Sequence, residues 1–168
     1  IGYVAAGGSG LHIVDFHDPD NPALLGSADV YGYALDVAVA GNWALVAAYN
    51  DGVSLVNIAT PSAPQVVQTL HTVGHAWSVE FSGRYAFVAE GEAGLLVLRL
   101  GQGSLSEQSY PLRLPGYATG ISLQGNKAFV ACQDAGVCVV DIADPAWPEV
   151  IGLVATSGSV NAVAVGDL

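Results

Sequence analysis

Positive charge is scarce in this chain. Of 168 residues only Arg84, Arg99, Arg113 and Lys127 carry it, against 15 Asp and Glu, for a formal net charge of -11. Binding to nucleic acid or docking on an anionic membrane requires Lys and Arg to neutralise phosphate, so both are argued against. Charge of either sign is thin as well: 11% of residues are charged, while 52% are hydrophobic and 21 are Gly. That excludes a charged disordered tail and a coiled coil. Mean hydropathy is positive, yet Gly, Asp, Asn, Ser or Pro interrupts every apolar run before 18 residues, so no membrane insertion is expected. Two cysteines are too few for a disulfide framework. No Asn is followed two residues later by Ser or Thr, and no secretory signal pattern opens the chain. Met is missing throughout, which predicts a chain processed or excised from a longer product.

What is present is repetition. Shifted by 42 residues, the chain matches itself: 33–74, 75–116 and 117–158 align without a gap. The remainder is also one unit. Residues 159–168 (SVNAVAVGDL) match a unit's start and residues 1–32 match the rest. The chain is therefore one domain, 1–168, of four complete units, with the cut falling inside one of them. An open stack gives no reason for the tail to complete the head, whereas a ring does.

Each unit reads as four short strands. In 33–74 these are Ala34 to Ala40, Trp43 to Tyr49, Val53 to Ala59 and Gln65 to Val73. Gly41-Asn42, Asn50-Asp51-Gly52 and the Thr60 to Pro64 segment punctuate them. Val-rich strands at this spacing, with no helical period, predict an all-β fold, and four-stranded antiparallel units of this length suit the blades of a β-propeller.

The third strand of each unit carries a signature: Leu11-His12-Ile13-Val14-Asp15, Val53-Ser54-Leu55-Val56-Asn57, Leu95-Leu96-Val97-Leu98-Arg99 and Val137-Cys138-Val139-Val140-Asp141. Two units follow it with Asp18-Pro19-Asp20-Asn21-Pro22 and Asp144-Pro145-Ala146-Trp147-Pro148, and a third with the variant Thr60-Pro61-Ser62-Ala63-Pro64. The remaining unit departs, with Gly101-Gln102-Gly103-Ser104. Over its whole length the chain resembles the LVIVD-repeat β-propellers. The resemblance implies a secreted or cell-surface setting in a bacterium or archaeon and carries no catalytic residues over.

Blade number follows from spacing. With sheets about 10 Å apart, inner strands lie about 7 Å from the axis in a four-bladed ring and about 13 Å in an eight-bladed one. Outer strands splay roughly 30 Å apart in the first and roughly 20 Å in the second. Ala, Val and Leu without insertions cannot fill the wider wedges, and unfilled wedges cost stability. Two chains sharing one eight-bladed ring are therefore expected. A four-bladed monomer closed on itself is the alternative.

Chemistry-bearing residues are few. Gly7-Gly8-Ser9-Gly10 lacks the Lys-Ser/Thr of a phosphate loop and aligns with a hairpin turn. His71 and His75 are four apart, without a third zinc ligand fixed by sequence. Asp51, Glu90, Glu92 and Asp134 are read as turn carboxylates gathered on one face, weak candidates for Ca²⁺; solvated turn acids are the plainer reading. Asp36 and Glu80, on inner strands, either line the channel or cap a turn. Cys132 and Cys138 fall on neighbouring strands and suit either a cross-strand disulfide or two buried thiols. Tyr33, His75, Trp77, Tyr117 and Asn161 form a candidate ligand-binding set at the loops entering the inner strands, with Tyr31 and Tyr110 beside them. No acid, base or metal set converges, and no cofactor is expected. The expected function is a non-catalytic module that assembles into a homodimeric ring as a scaffold. Binding of a glycan, small molecule or Ca²⁺ at the loop face is the alternative.

Overall fold

Alternating apolar residues and turn glycines produce 15 strands in the computed structural model, which describes residues 1–166. The first sheet holds β1 (Gly2–Ala5), β2 (Leu11–Asp15) and β3 (Ala23–Ala28). The second holds β4 (Asp36–Ala40), β5 (Trp43–Ala47), β6 (Val53–Asn57) and β7 (Gln65–Leu70). The third holds β8 (Ser78–Ser82), β9 (Tyr85–Ala89), β10 (Leu95–Leu100) and β11 (Leu105–Glu107). The fourth holds β12 (Gly120–Gln124), β13 (Lys127–Ala131), β14 (Val137–Asp141) and β15 (Glu149–Val154). All are antiparallel meanders, strand following strand. No helix occurs among the described residues. The observed strands are shorter than the segments read from sequence, mostly by losing residues at their ends.

The turn between second and third strands shows why particular residues sit there. Its last position is glycine in every unit, Gly10, Gly52, Gly94 and Gly136, all with φ between +75° and +95°. A Cβ on Gly136 would stand 2.1 Å from the Val154 carbonyl oxygen, so both the dihedral and the close approach require glycine. The first position also lies at positive φ, and two units place a side chain there: Tyr49 at +52° and Gln133 at +43°.

Sheets pack face to face through three apolar clusters. Leu11 and Ile13 of the first sheet meet Ala44, Val46 and Val56 of the second. Leu45, Val53 and Leu55 on the second sheet's other face meet Val88, Leu96 and Leu98 of the third. Phe87, Leu95 and Val97 of the third meet Val130, Cys138 and Val140 of the fourth. Residues two apart share a face, so β5 and β9, flanked on both sides, are buried from their second residue onward. β1 and β14, at the ends of the stack, bury alternate or partial positions only. No cluster joins the fourth sheet to the first among the described residues. The chain is an open arc of four units.

The expected fourth strand of the first sheet is not paired to it. The segment 160–166 lies beside β12 instead, one repeat away. Thr119 Oγ1 donates to the Asn161 carbonyl at 3.1 Å, Gln124 Nε2 to the Gly166 carbonyl at 3.3 Å, and Val165 N to Ser122 Oγ at 3.3 Å. The bridge Gln133–Val160 repeats Gly7–Ala34, Tyr49–Ala76 and Gly91–Ala118. The segment thus enters an inner-strand position as the other units do, without a ladder partner. The last two residues of the expected strand 159–168 lie outside the described residues.

Candidate functional site

The mouth formed by the loops entering the inner strands is built by a repeat relationship. At three junctions a unit sets one side chain over the first turn position of the unit before it. Tyr33 covers Gly7, and a Cβ there would meet the Tyr33 ring at 2.7 Å; Tyr117 covers Gly91 in the same way at 2.5 Å. Between these two junctions the pair is Tyr49 and His75, whose rings stack with centroids 4.8 Å apart.

Trp77 completes the cluster. Its ring stands edge-on to Tyr49 at 5.1 Å and to Tyr117 at 6.0 Å. The Trp77 indole N–H donates to the Tyr117 hydroxyl at 3.1 Å, and His75 Nδ1 lies 3.1 Å from the same oxygen. Glu92 stands 3.5 Å from His75 Nδ1. Its carboxyl is held below the usual range, chiefly by its own backbone N–H and also by His75 and Tyr117. Burial pushes the Tyr117 hydroxyl up.

Of the sequence candidates, the fold brings His75, Trp77 and Tyr117 together. Tyr33 belongs to the previous junction and is exposed, and Asn161 lies exposed at the next one, holding Thr119 through its backbone. His71 is exposed and outside this cluster. Sequence reasoning missed Tyr49. The signal was available: it occupies the turn position held by Gly7 and Gly91, one repeat away on each side.

Four expectations need correction or refinement. Tyr110 is not at the mouth. It sits in the bulged stretch after β11, at the outer rim. Glu90 is not a turn carboxylate: it is fully buried between the second and third sheets, with neither oxygen hydrogen-bonded. Burial pushes its carboxyl up to about 7. Asp36, beyond the inner-strand position expected of it, bridges to the neighbouring inner strand through Ser78 and Val79. Cys132 and Cys138 are both buried free thiols, and their sulfurs lie 2.7 Å apart. Among the described residues no three His, Cys, Asp or Glu side chains are grouped to hold a metal ion, and Asp51, Glu92 and Asp134 stay at separate turns.

Antiparallel four-stranded units, stacked face to face and joined inner strand to inner strand, define a propeller-like repeat protein. The chain belongs to the LVIVD-repeat family, whose model matches residues 2–30, 31–72, 73–111 and 115–156. Comparison with curated proteins finds no match. Among solved structures it is similar to the computationally designed Ika4 protein, at 14% identity over 82% of each chain, with a TM-score of 0.68. It is also similar to the computationally designed Ika8 protein, at 14% identity over 98% of this chain and 49% of that one, with a TM-score of 0.78. At such identity the likeness concerns fold alone.

Proposed function

We propose that this chain is a non-catalytic scaffold module that closes into an eight-bladed ring with a second copy of itself. The observation that carries the reading is the position of 160–166, laid beside β12 as an inner strand that has no sheet of its own. The first sheet has the complementary deficit, three strands and an unpaired β1 edge. The register is fixed by the repeat. In the second sheet Asp36 faces Ala47 and Val39 faces Ala44. Carried through the repeat, Ala162 faces Ala5 of a second copy and Val165 faces its Gly2.

The end faces match in the same sense. Phe129, Val137 and Val139 on the fourth sheet are only half-buried. Their equivalents Phe87, Leu95 and Val97 are at most 1% exposed, because a further sheet covers them. On the first sheet Val4 is 41% exposed, whereas its equivalents Val46 and Val88 are fully buried. Each end is half of an interface that the chain makes three times internally. Leaving both bare exposes apolar surface and an open strand edge. The superposition of nearly the whole chain on 49% of the Ika8 chain supports the reading, since a chain about twice as long accommodates this arc. The mouth cluster supports a structural role too: its rings pack on one another and its polar atoms use one another as partners. A secreted or surface setting rests on the family resemblance.

Sedimentation equilibrium tests the proposal. The expected mass is twice the 17.1 kDa of one chain, reverting to one chain when Val4→Asp or Val139→Asp places charge in the shared face. A wild-type mass of 17.1 kDa overturns it.

A further inference from the structure

At the outer rim the three junctions between neighbouring sheets differ at one pair of equivalent positions. In the first junction Gly26 lies against the Pro61 to Pro64 turn; a Cβ there would stand 2.4 Å from the Pro61 carbonyl oxygen. In the second, the Gln68 amide closes the gap, donating to the Leu105 carbonyl at 3.1 Å and accepting from the Leu105 N–H at 2.7 Å. The third junction is open. The equivalents of Gln68 and Leu105 are Tyr110 and Trp147, 92% and 81% exposed. They line a cleft of about 620 Å³.

The opening has a local cause. Gly101–Ser104 shortens the turn before β11 to four residues, where the second sheet has seven. β11 therefore pairs one residue early, Leu98 with Glu107. The chain regains its place only at the Leu95–Leu112 bridge. Residues 108–111 stand opposite Leu96 and Val97 alone, and this bulge forms one wall of the cleft.

We propose that this cleft is a carbohydrate-binding site in which a pyranose ring packs against Trp147 and Tyr110. The volume falls in the range of ligand sites, roughly 300–1,000 Å³. The two aromatic rings offer flat apolar faces. Glu107, Gln108, Ser109 and Arg113 add an acceptor, a donor and two groups that do both. The Ser109 hydroxyl lies buried in the cleft wall without a partner in the protein, an unpaired polar group that a small movement of the wall would open to a ligand. Sugar hydroxyls donate and accept together, which suits this mixed set. A polyproline segment, the other ligand of aromatic grooves, offers carbonyl acceptors only and would leave the Glu107 carboxylate desolvated. The cleft lies between the third and fourth sheets, so the site does not depend on how the ends of the arc are covered.

The test is titration of the intact protein with soluble oligosaccharides of glucose, xylose, mannose and N-acetylglucosamine, followed by calorimetry and tryptophan fluorescence, with decaproline in parallel. At least one sugar is expected to bind in the millimolar range or tighter. Trp147→Ala and Tyr110→Ala, both at exposed positions, should each weaken it roughly tenfold. Trp77→Phe at the mouth should leave it unchanged. No sugar binding at millimolar concentration overturns the proposal. So does binding that survives Trp147→Ala, or binding of decaproline alone.

Discussion

The Asp36 carboxylate accepts a hydrogen bond of 2.7 Å from the Ser78 hydroxyl, a residue one repeat ahead on the neighbouring inner strand. The same oxygen accepts from Val79 N at 3.0 Å, and the other oxygen from Val37 N at 2.8 Å. One side chain thus ties β4 to β8. The equivalents of Asp36 are Ser78, Gly120 and Ala162, so no other junction carries this carboxylate.

Removing it should be felt. Val79 is buried, and its N–H would be left without a partner, a loss that costs about 1–3 kcal/mol. Asp36→Ala is expected to lower stability by that amount in urea unfolding, with Asp36→Asn restoring much of it, since the amide oxygen can accept from both Ser78 and Val79 and only the Val37 N–H would face the amide N–H. Ser78→Ala should cost less. A double-mutant cycle between 36 and 78 should show coupling; strictly additive effects would mean that the contact carries no energy.

Glu90 predicts a pH dependence. Its carboxyl titrates near 7 when folded, because burial disfavours the ion, against 4.5 ordinarily. Below 4.5 both states are protonated and the residue is neutral to stability. Between 4.5 and about 7 the unfolded chain loses its proton first. Stability therefore falls as pH rises through this window, by about 3 kcal/mol in total, and is flat above it. Equivalent positions hold Ala6, Ala48 and Cys132, so a small side chain fits. Glu90→Ala should remove this slope and be more stable than the parent at pH 8. Chemical denaturation across pH 4 to 8 reads both; a parental curve without the fall would place the carboxylate in a partnered site.

The thiols predict silence. Burial, with Cys138 adding to it, pushes Cys132 up to about 12, and burial also raises Cys138. Only the thiolate is a nucleophile. Native protein at pH 8 should therefore react negligibly with iodoacetamide, and denatured protein should yield two thiols per chain. Prompt native labelling would mean that the third and fourth sheets separate readily. No thiols after denaturation would mean that the pair is oxidised.

Much of the architecture was readable from the residues themselves. Strand order and repeat boundaries follow from period-two alternation and from glycines that only a positive φ explains, and both are local. What escaped was decided by single-residue offsets. Glu90 precedes its turn by one position, which sends it between sheets instead of into solvent. Tyr110 is the exception: its equivalent Gln68 already lies on the outer strand β7, so the 42-residue spacing itself assigned it to the rim. Asp36 and Tyr49 needed the neighbouring unit, since their partners lie on it.

Phe87 and Phe129 occupy the same place in successive units and give the sharpest comparison. Phe87 is 1% exposed, packed against the fourth sheet. Phe129 lies on the face of the fourth sheet away from the third, its neighbours Ala128 and Val130 pointing inward. Truncating a fully packed phenylalanine costs about 3–5 kcal/mol, whereas a half-covered one costs far less. If the ends of the arc meet a second copy, Phe129 becomes a core residue. Phe129→Ala should then cost about as much as Phe87→Ala. Its penalty should also grow with protein concentration near the dimer midpoint, because the lost contact lies between chains. Phe87→Ala should show no such dependence beyond that of the parent. Thermal unfolding over a hundredfold range of concentration separates the cases. A small, concentration-independent penalty at Phe129 would leave that face bare in solution, and the chain a solitary arc.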